Sequence, residues 1–111
     1  MLDLLKREII KLKYPKLQGF DKTNYVDIGA YLYGAGKIFL CRNASILKGA
    51  MLYGESDEEV AIRLAENVQV REYTYLHAYG GHIFLGKNSS VAPYSLIYGN
   101  GGVNIGDNCM I

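Results

Sequence analysis

The sequence LGKN at residues 85–88 is one of four short segments that share a pattern, and this repetition decides the fold. The other three segments are LCRN at 40–43, LAEN at 64–67 and IGDN at 105–108. In each segment an aliphatic residue is followed three positions later by Asn, and successive segments begin 24, 21 and 20 residues apart. Repeats of this length are typical of stacked units that share one long core, not of a closed globule.

A shorter period of six residues runs inside the longer one. Aliphatic residues recur at this spacing in four series: Leu40, Ile46 and Leu52; Leu64, Val70 and Leu76; Leu85, Val91 and Ile97; Ile105 and Ile111. A helix places apolar residues three or four apart and a half-buried strand places them two apart, so a period of six fits neither. It predicts a short strand followed by a tight corner, and three such sides make one triangular coil of about 18 residues.

The residues that follow each aliphatic predict how the corners are built. Three positions on stands an Asn or Gly, as at Asn43 and Gly49, because these residues tolerate left-handed backbone angles that cost others about 1–2 kcal/mol. Tyr73 and Tyr94 stand at the same position and break this rule. The next residue is small, as at Ala44, and we expect it to point inward where a large side chain would not fit.

Some inward positions carry polar or sulfur-containing side chains. We expect Ser89 and Thr74 to form hydrogen bonds with the backbone at the corners, since buried polar groups need partners. Cys109 lies in the same column and is interpreted as a small packed hydrophobe, because a free Cys is commonly buried and inert. Cys41, at a position equivalent to Ala65, is also interpreted as structural.

Three insertions interrupt the rhythm, at residues 54–59, 78–82 and 99–102. All three occur at the same phase of the repeat, so we expect them to stack along one edge of the prism. Tyr79 and Asn100 lie within these insertions and are candidates for contacts with a substrate. Loops on one edge of a repeat protein are its expected functional surface.

The pattern of residues 26–111 resembles that of the hexapeptide-repeat family, whose left-handed parallel β-helix is best known from acyltransferases. Residues 85–111 match it most closely. The resemblance implies an all-β fold, a single-stranded left-handed parallel β-helix of about four triangular coils. Residues 1–25, which the resemblance does not cover, are predicted to be an N-terminal α-helix and linker. The handedness comes from the resemblance alone, because the general rule for crossovers between parallel strands is right-handed.

The same resemblance implies a function. It predicts an acyl-CoA-dependent acyltransferase, with acetyl-CoA or another acyl-CoA as co-substrate and a sugar or polysaccharide hydroxyl as acceptor. It also implies a homo-oligomer, a trimer with active sites in the clefts between subunits. The family's catalytic base is usually a His beyond the stretch that resembles residues 105–111. We therefore expect a shortened, inactive form of a longer enzyme, or else a second chain that covers the open end.

His77 and His82 are the two histidines and the candidates for a catalytic base. His82 lies in an insertion beside two glycines, which makes it the better candidate. His77 occupies the same repeat position as Tyr53 and Tyr98, so we expect it to face outward in a ladder of stacked rings. Histidine suits general base catalysis because its pKa lies near neutral pH.

Two alternatives to acyl transfer remain open. The x4 spacing of His77 and His82 is that of two ligands in carbonic-anhydrase-like zinc proteins, but zinc needs a third ligand, and nothing singles out Glu72 for that role. We therefore predict no metal site. The other alternative is a structural or self-assembling β-helix, in which the ten tyrosines supply subunit contacts.

Composition excludes several classes of protein. The net charge of +1 gives no signal for nucleic-acid binding. The sequence contains no apolar run that could span a membrane, and charge interrupts its N-terminus too early for a secretory signal. The two cysteines show no metal-ligand spacing, so a reducing cytoplasm is the expected location.

The N-terminal segment has helical periodicity. Leu2, Leu5, Ile9 and Leu12 fall on one face, and Pro15 limits the helix. We favour a cap over the open end of the coils, because repeat proteins need terminal covers. A membrane-surface helix is the alternative, since basic residues flank the apolar ones.

Residues 16–27 are interpreted as a linker. We expect Ile28, Gly36 and Ile38 to mark the start of an irregular first coil.

Overall fold

The computed structural model of the protein describes residues 2–111, and the side chains from residue 4 onward. Within that range, helix α1 (Leu2–Lys13) is followed by twelve short strands and one 3-10 turn at Ala35–Lys37. The strands are β1 (Tyr25–Val26), β2 (Tyr31–Tyr33), β3 (Ile38–Leu40), β4 (Ser45–Ile46), β5 (Met51–Tyr53), β6 (Ile62–Leu64), β7 (Gln69–Val70), β8 (Tyr75–His77), β9 (Ile83–Leu85), β10 (Ser90–Val91), β11 (Leu96–Tyr98) and β12 (Val103–Ile105).

These strands form three parallel sheets of four strands each, which are the three sides of a prism. The first sheet has the order β1-β4-β7-β10, the second β2-β5-β8-β11 and the third β3-β6-β9-β12. Each consecutive set of three strands makes one coil, and every strand pairs with the equivalent strand of the next coil. The fold is therefore a parallel β-helix of four coils with one N-terminal helix, as the repeat predicted. Its left-handed winding is the one that the family resemblance implied.

The four aliphatic residues that open the repeated segments are stacked in the interior. The strand register pairs Leu40 with Leu64, Leu64 with Leu85, and Leu85 with Ile105. The first three side chains are buried and Ile105 is partly buried. Val91 is completely inaccessible, which confirms the inward direction predicted for the six-residue period.

The corners use left-handed backbone angles, as predicted. The four repeated Asn residues have φ between 59° and 63°, for example 60° at Asn43. Tyr73 and Tyr94 adopt the same conformation, with φ of 59° and 66°. Their rings stack on each other with centroids 5.4 Å apart and planes 11° apart. Tyr73 also lies over Gly49, where an added Cβ would come within 2.3 Å of the Tyr73 ring. A stacked aromatic pair contributes about 0.5–1.5 kcal/mol, which offsets part of the backbone cost of the two left-handed residues.

The polar residues of the inward column differ from one another. Ser89 Oγ donates to the carbonyl of Gly106 at 2.7 Å and accepts from the amide of Cys109 at 3.0 Å, as predicted. The prediction for Thr74 was wrong, because its Oγ1 is buried and finds no hydrogen-bond partner in the part of the chain that the structure describes. Cys109 and Cys41 are both unpaired thiols with intermediate burial.

The first coil begins earlier than the sequence indicated. Its inward aliphatic residues are Val26 and Leu32, paired with the second coil, whereas Ile28 is exposed. Asn24 occupies the inward corner position, and its amide donates to the carbonyls of Cys41 (2.7 Å) and Ala44 (3.1 Å). The polar residue at this position hides the repeat, which is why residues 16–27 resembled a linker. The placement of Ile38 was correct, since it is buried.

Helix α1 covers the first coil, as the cap hypothesis predicted, but through a different face. Ile10 and Tyr14 are the buried residues, and the Tyr14 hydroxyl accepts from the Leu32 amide at 3.2 Å. Of the predicted face, Leu5, Ile9 and Leu12 are exposed, Leu12 at 82%, while the side chain of Leu2 lies outside the described residues. At about 100° per residue, Leu5 and Leu12 lie about 140° and 160° around the helix from Ile10.

Candidate functional site

The three insertions, at residues 54–59, 78–82 and 99–102, stack along one edge of the prism as predicted; we call them the insertion edge. Backbone bonds join them directly, with the Gly80 amide donating to the Glu55 carbonyl at 2.9 Å. Ser56 Oγ donates to the carbonyl of Gly81 at 2.6 Å. Residues about 20 positions apart in sequence are therefore neighbours along this edge.

His82 lies on the insertion edge with one ring nitrogen held by a carboxylate from the preceding coil. Its Nδ1 is 3.0 Å from both Oε1 and Oε2 of Glu58. Because a carboxylate only accepts hydrogen bonds, this pairing places a proton on Nδ1 and leaves Nε2 as the nitrogen available to exchange one. The imidazole also stacks on the Phe84 ring, with centroids 4.3 Å apart. The ring is thus fixed on two sides.

The remaining nitrogen, Nε2, is covered. It is buried and has no hydrogen-bond partner among residues 2–111. Gly102 lies against it, since an added Cβ there would come within 2.8 Å of His82 Cε1 and 3.2 Å of Nε2. In this arrangement the insertion at 99–102 separates Nε2 from solvent, so contact with a substrate requires that insertion to shift. That insertion contains three glycines, which makes it conformationally permissive.

A groove follows the outer side of the third sheet next to His82. The strand register aligns Phe39, Arg63, Phe84 and Asn104 in one outward column. A cavity of about 220 Å³ lies between Phe39, Val60, Arg63 and Phe84, and a second of about 150 Å³ continues toward Asn104. We call this surface the third-sheet groove. Its walls are largely apolar with one guanidinium, and the contact of His82 with Phe84 places the imidazole at its edge.

His77 occupies a different environment, on the outer side of the second sheet. It is only 8% exposed and lies in register with Tyr53 and Tyr98. The predicted ladder is confirmed for Tyr53, but Tyr79 and not Tyr98 forms the next stacked ring. The Tyr53 ring stacks on one side at 4.7 Å and Tyr79 on the other at 3.6 Å. His77 Nδ1 lies 2.9 Å from the Tyr75 hydroxyl. These contacts enclose the ring and make it a packing residue.

The phenol of Tyr75 shows the effect of this crowding. Desolvation by the surrounding rings, together with the Tyr79 hydroxyl, raises the pKa of Tyr75 to about 12. The phenol therefore keeps its proton at neutral pH and can donate it to His77 Nδ1.

The two candidates for substrate contacts lie in separate places. Tyr79 is half-exposed, but its ring lies flat on His77, so it belongs to the ladder. Asn100 is exposed in the insertion whose last residue, Gly102, covers His82. Asn100, unlike Tyr79, therefore belongs to the insertion that covers Nε2 of His82.

The three residues considered for zinc are engaged by three different sets of partners. His77 is enclosed by tyrosines, His82 bonds to Glu58, and Glu72 Oε1 accepts from Arg71 Nε at 3.1 Å. No three His, Cys, Asp or Glu side chains come together as a metal site among the residues that the structure describes.

Sequence reasoning missed Glu58, Arg63 and Phe84. A signal for Glu58 was present, because the acidic insertion at 54–59 shares its phase with the insertion that carries His82. Stacked insertions bring their side chains together, so an acidic neighbour for His82 could have been predicted. Arg63 and Phe84 carried no such signal, since outward strand positions tolerate many residue types.

Comparisons with known proteins add no family assignment. A scan against models of protein families found no match, and a search among curated proteins found no match. In the described part of the chain, no helix is both long and apolar enough to cross a membrane.

Proposed function

We propose that this protein is an acyl-CoA-dependent acyltransferase that transfers an acetyl or similar acyl group to a hydroxyl of a sugar or polysaccharide. The observation that carries the proposal is the Glu58–His82 pair at the edge of the third-sheet groove. A histidine oriented by a carboxylate is a base suited to neutral pH. The choice of acyl transfer as the reaction rests on the six-residue repeat, which resembles that of the hexapeptide acyltransferases. The proposal assigns the base to His82 and not to a position beyond residue 111.

The reaction follows from the orientation of the imidazole. Nε2 of His82 accepts the proton of the acceptor hydroxyl while that oxygen forms a bond to the thioester carbonyl carbon. The carbon–sulfur bond then breaks, and the leaving thiolate takes the proton back from Nε2. The products are an acyl ester and the CoA thiol, and His82 returns to its starting state. Glu58 stabilises the imidazolium between the two steps, and a positioned base of this kind contributes about 10²–10⁴-fold in rate.

The third-sheet groove supports an acyl-CoA as co-substrate. Phe39, Val60 and Phe84 supply an apolar wall for an acyl chain and its thioester arm. Arg63 adds the single cation of the groove lining, and a guanidinium suits the phosphates of such a carrier.

The test measures thiol release from acetyl-CoA with a panel of sugars and polysaccharides. We expect His82→Ala to lower kcat/KM by about 10²-fold or more, and free imidazole to restore part of the rate. Lys87→Ala, an exposed change on the fourth coil, is the matched control and should keep full activity. The proposal is rejected if the unaltered protein releases no thiol with any acceptor, or if His82→Ala retains full turnover.

The proposal includes a homotrimer in a reducing cytoplasm. Exposed rings on the second sheet support the oligomer, since Tyr31, Tyr33 and Tyr98 are each about half-exposed and tyrosine is enriched at interfaces. The free thiols of Cys41 and Cys109 support the location. Light scattering that gives the mass of one 12.4 kDa chain would contradict the trimer.

A self-assembling scaffold is the second candidate, and the same ring-covered sheet favours it. Concentration-dependent sedimentation of large assemblies, together with no thiol release, would select the scaffold over the enzyme. Thiol release that depends on His82 would select the enzyme.

A further inference from the structure

A cavity of about 400 Å³ lies between helix α1 and the start of the first coil, remote in sequence from the insertion edge. We call it the α1 cavity. Its lining residues are Lys6, Arg7, Phe20, Lys22, Thr23, Asn24, Tyr25 and Val26. Three of these residues are cations and none is a carboxylate. Volumes of this size are typical of sites for small organic ligands.

One of the cations has unused hydrogen-bonding capacity. Arg7 Nη2 donates to the Lys22 carbonyl at 3.3 Å, but Arg7 Nε is buried and finds no acceptor among residues 2–111. A buried guanidinium donor without a partner is unfavourable, because it has lost its hydrogen bonds to water. An oxygen-rich anion in the cavity would satisfy it and offset that cost.

The nearby carboxylates are already engaged by their own turns. Asp21 Oδ1 accepts from the Thr23 amide at 2.8 Å and from Thr23 Oγ1 at 2.7 Å. Asp27 accepts from the Tyr25 hydroxyl at 2.6 Å and from the Gly29 amide at 2.8 Å. The hydrogen bond from the Tyr25 hydroxyl, and to a smaller extent the charge of Lys6, hold the pKa of the Asp27 carboxyl below its usual value, so part of the Lys6 charge is balanced. Arg7 and Lys22 form no ion pair with a carboxylate in the described part of the chain.

The polar side chains at the back of the cavity are also occupied. The Asn24 amide bonds to two backbone carbonyls, and Thr23 Oγ1 accepts from the Asn43 amide at 2.9 Å. Recognition therefore falls to the three cations, while Phe20 and Val26 supply an apolar wall. This combination suits a small anionic group attached to a compact organic body.

We propose that the α1 cavity binds a phosphate monoester through Arg7, Lys22 and Lys6. A guanidinium is matched to phosphate because it offers several donors in one plane, and ammonium groups add charge. The site is distinct from the Glu58–His82 pair and does not depend on acyl transfer. The phosphate can belong to a soluble metabolite or to a lipid headgroup, because the shared chemistry is the monoester dianion.

The experiment titrates the full chain with ribose 5-phosphate and, separately, with ribose, acetate and vesicles that contain phosphatidic acid. Calorimetry or the thermal shift reports the soluble ligands, and co-sedimentation reports the vesicles. We expect ribose 5-phosphate or the phosphatidic acid vesicles to bind and ribose and acetate not to bind. Binding should weaken as ionic strength rises, because exposed charges are screened.

Variants locate the site. Arg7→Gln and Lys22→Gln should each weaken binding about tenfold, the effect of losing one charge-assisted hydrogen bond. Lys11→Gln is the matched control, because Lys11 lies on the same helix, is exposed and does not line the cavity. Lys22 is itself exposed, so its substitution should leave folding intact even if Arg7→Gln does not.

Three outcomes would overturn the proposal. One is that neither ribose 5-phosphate nor the vesicles bind. Another is that ribose or acetate binds as tightly as the phosphate ester. The third is that Lys11→Gln weakens binding as much as Lys22→Gln does. Binding of only one phosphate source, lost in Lys22→Gln, supports the site and identifies that source.

Discussion

The two histidines are five residues apart in the chain and yet have different surroundings. His77 lies on a flat strand, enclosed between Tyr53 and Tyr79, and its Nδ1 is paired with a phenol. His82 lies in an insertion, where Glu58 of the preceding coil holds Nδ1 and a glycine covers Nε2. In a stacked fold the neighbours of a residue come from the equivalent position about one coil away. The adjoining coils, and not the local sequence, therefore decide which histidine is enclosed between rings and which one is held by a carboxylate.

The largest effect is expected from a change in the buried core, because the surroundings of both histidines depend on the folded β-helix. Val91→Asp places an unpaired carboxylate in the narrow core, so we expect the β-helix to unfold, with a loss above about 4 kcal/mol. Circular dichroism melting checks this outcome. Val91→Ala, which only removes methyl groups, should lower the free energy of unfolding by about 2 kcal/mol and keep the fold. An unchanged melting curve for Val91→Asp would contradict the inward assignment.

The next effect separates the two histidines by activity. Glu58→Gln keeps the shape of the side chain but removes the negative charge that stabilises the His82 imidazolium. We expect kcat for acyl transfer to fall about 10- to 100-fold with little change in melting temperature, because the Glu58 side chain is about half-exposed. Glu59→Gln, the neighbouring change, is the control and should keep full activity. Equal rates for Glu58→Gln and the unaltered protein would exclude the pair from catalysis.

The third effect distinguishes His77 from His82 by the free energy of unfolding. His77→Ala leaves a gap between two stacked rings, so we expect a loss of about 2 kcal/mol in the free energy of unfolding. Urea denaturation measures this loss. Turnover of the folded fraction should stay normal. The comparison fails if His77→Ala abolishes turnover while the denaturation midpoint is unchanged, because His77 would then be a functional residue and not a packing one.

The smallest effect concerns the fall of the melting temperature at alkaline pH. The pKa of Tyr75 is raised to about 12 in the folded protein, above about 10 in an unfolded chain. Between these two values the unfolded chain has released the Tyr75 proton, whereas the folded protein still holds it. The contribution of Tyr75 to the free energy of unfolding is therefore complete below about pH 10 and is lost as the pH rises above that value. Tyr75→Phe should therefore show a shallower fall of melting temperature above pH 10. Tyr94→Phe removes a hydroxyl outside this cluster and should keep the original slope.

The sequence predicted the interior and the corners because both depend on small, repeated requirements. An aliphatic side chain at every sixth residue can be buried only if it points into the narrow three-sided core, as Leu64 and Leu85 do. A left-handed corner selects Asn or Gly, as at Asn43. The first coil was misread at Ile28 because Asn24 replaces a small inward residue. Helix α1 was predicted correctly but its buried face was not, since a short amphipathic helix with apolar residues on two sides does not reveal which side meets the core.

The sequence by itself therefore determined the three-sided coiling from residue 38 onward and the edge on which its insertions lie. Tertiary structure alone decided that Glu58 meets His82, that tyrosines enclose His77, and that Arg7 and Lys22 share one cavity. The physical reason is that the repeat constrains backbone and inward side chains through sterics at every coil. Outward side chains obey no such rule, and their contacts depend on which residues of neighbouring coils and of helix α1 come to lie beside them.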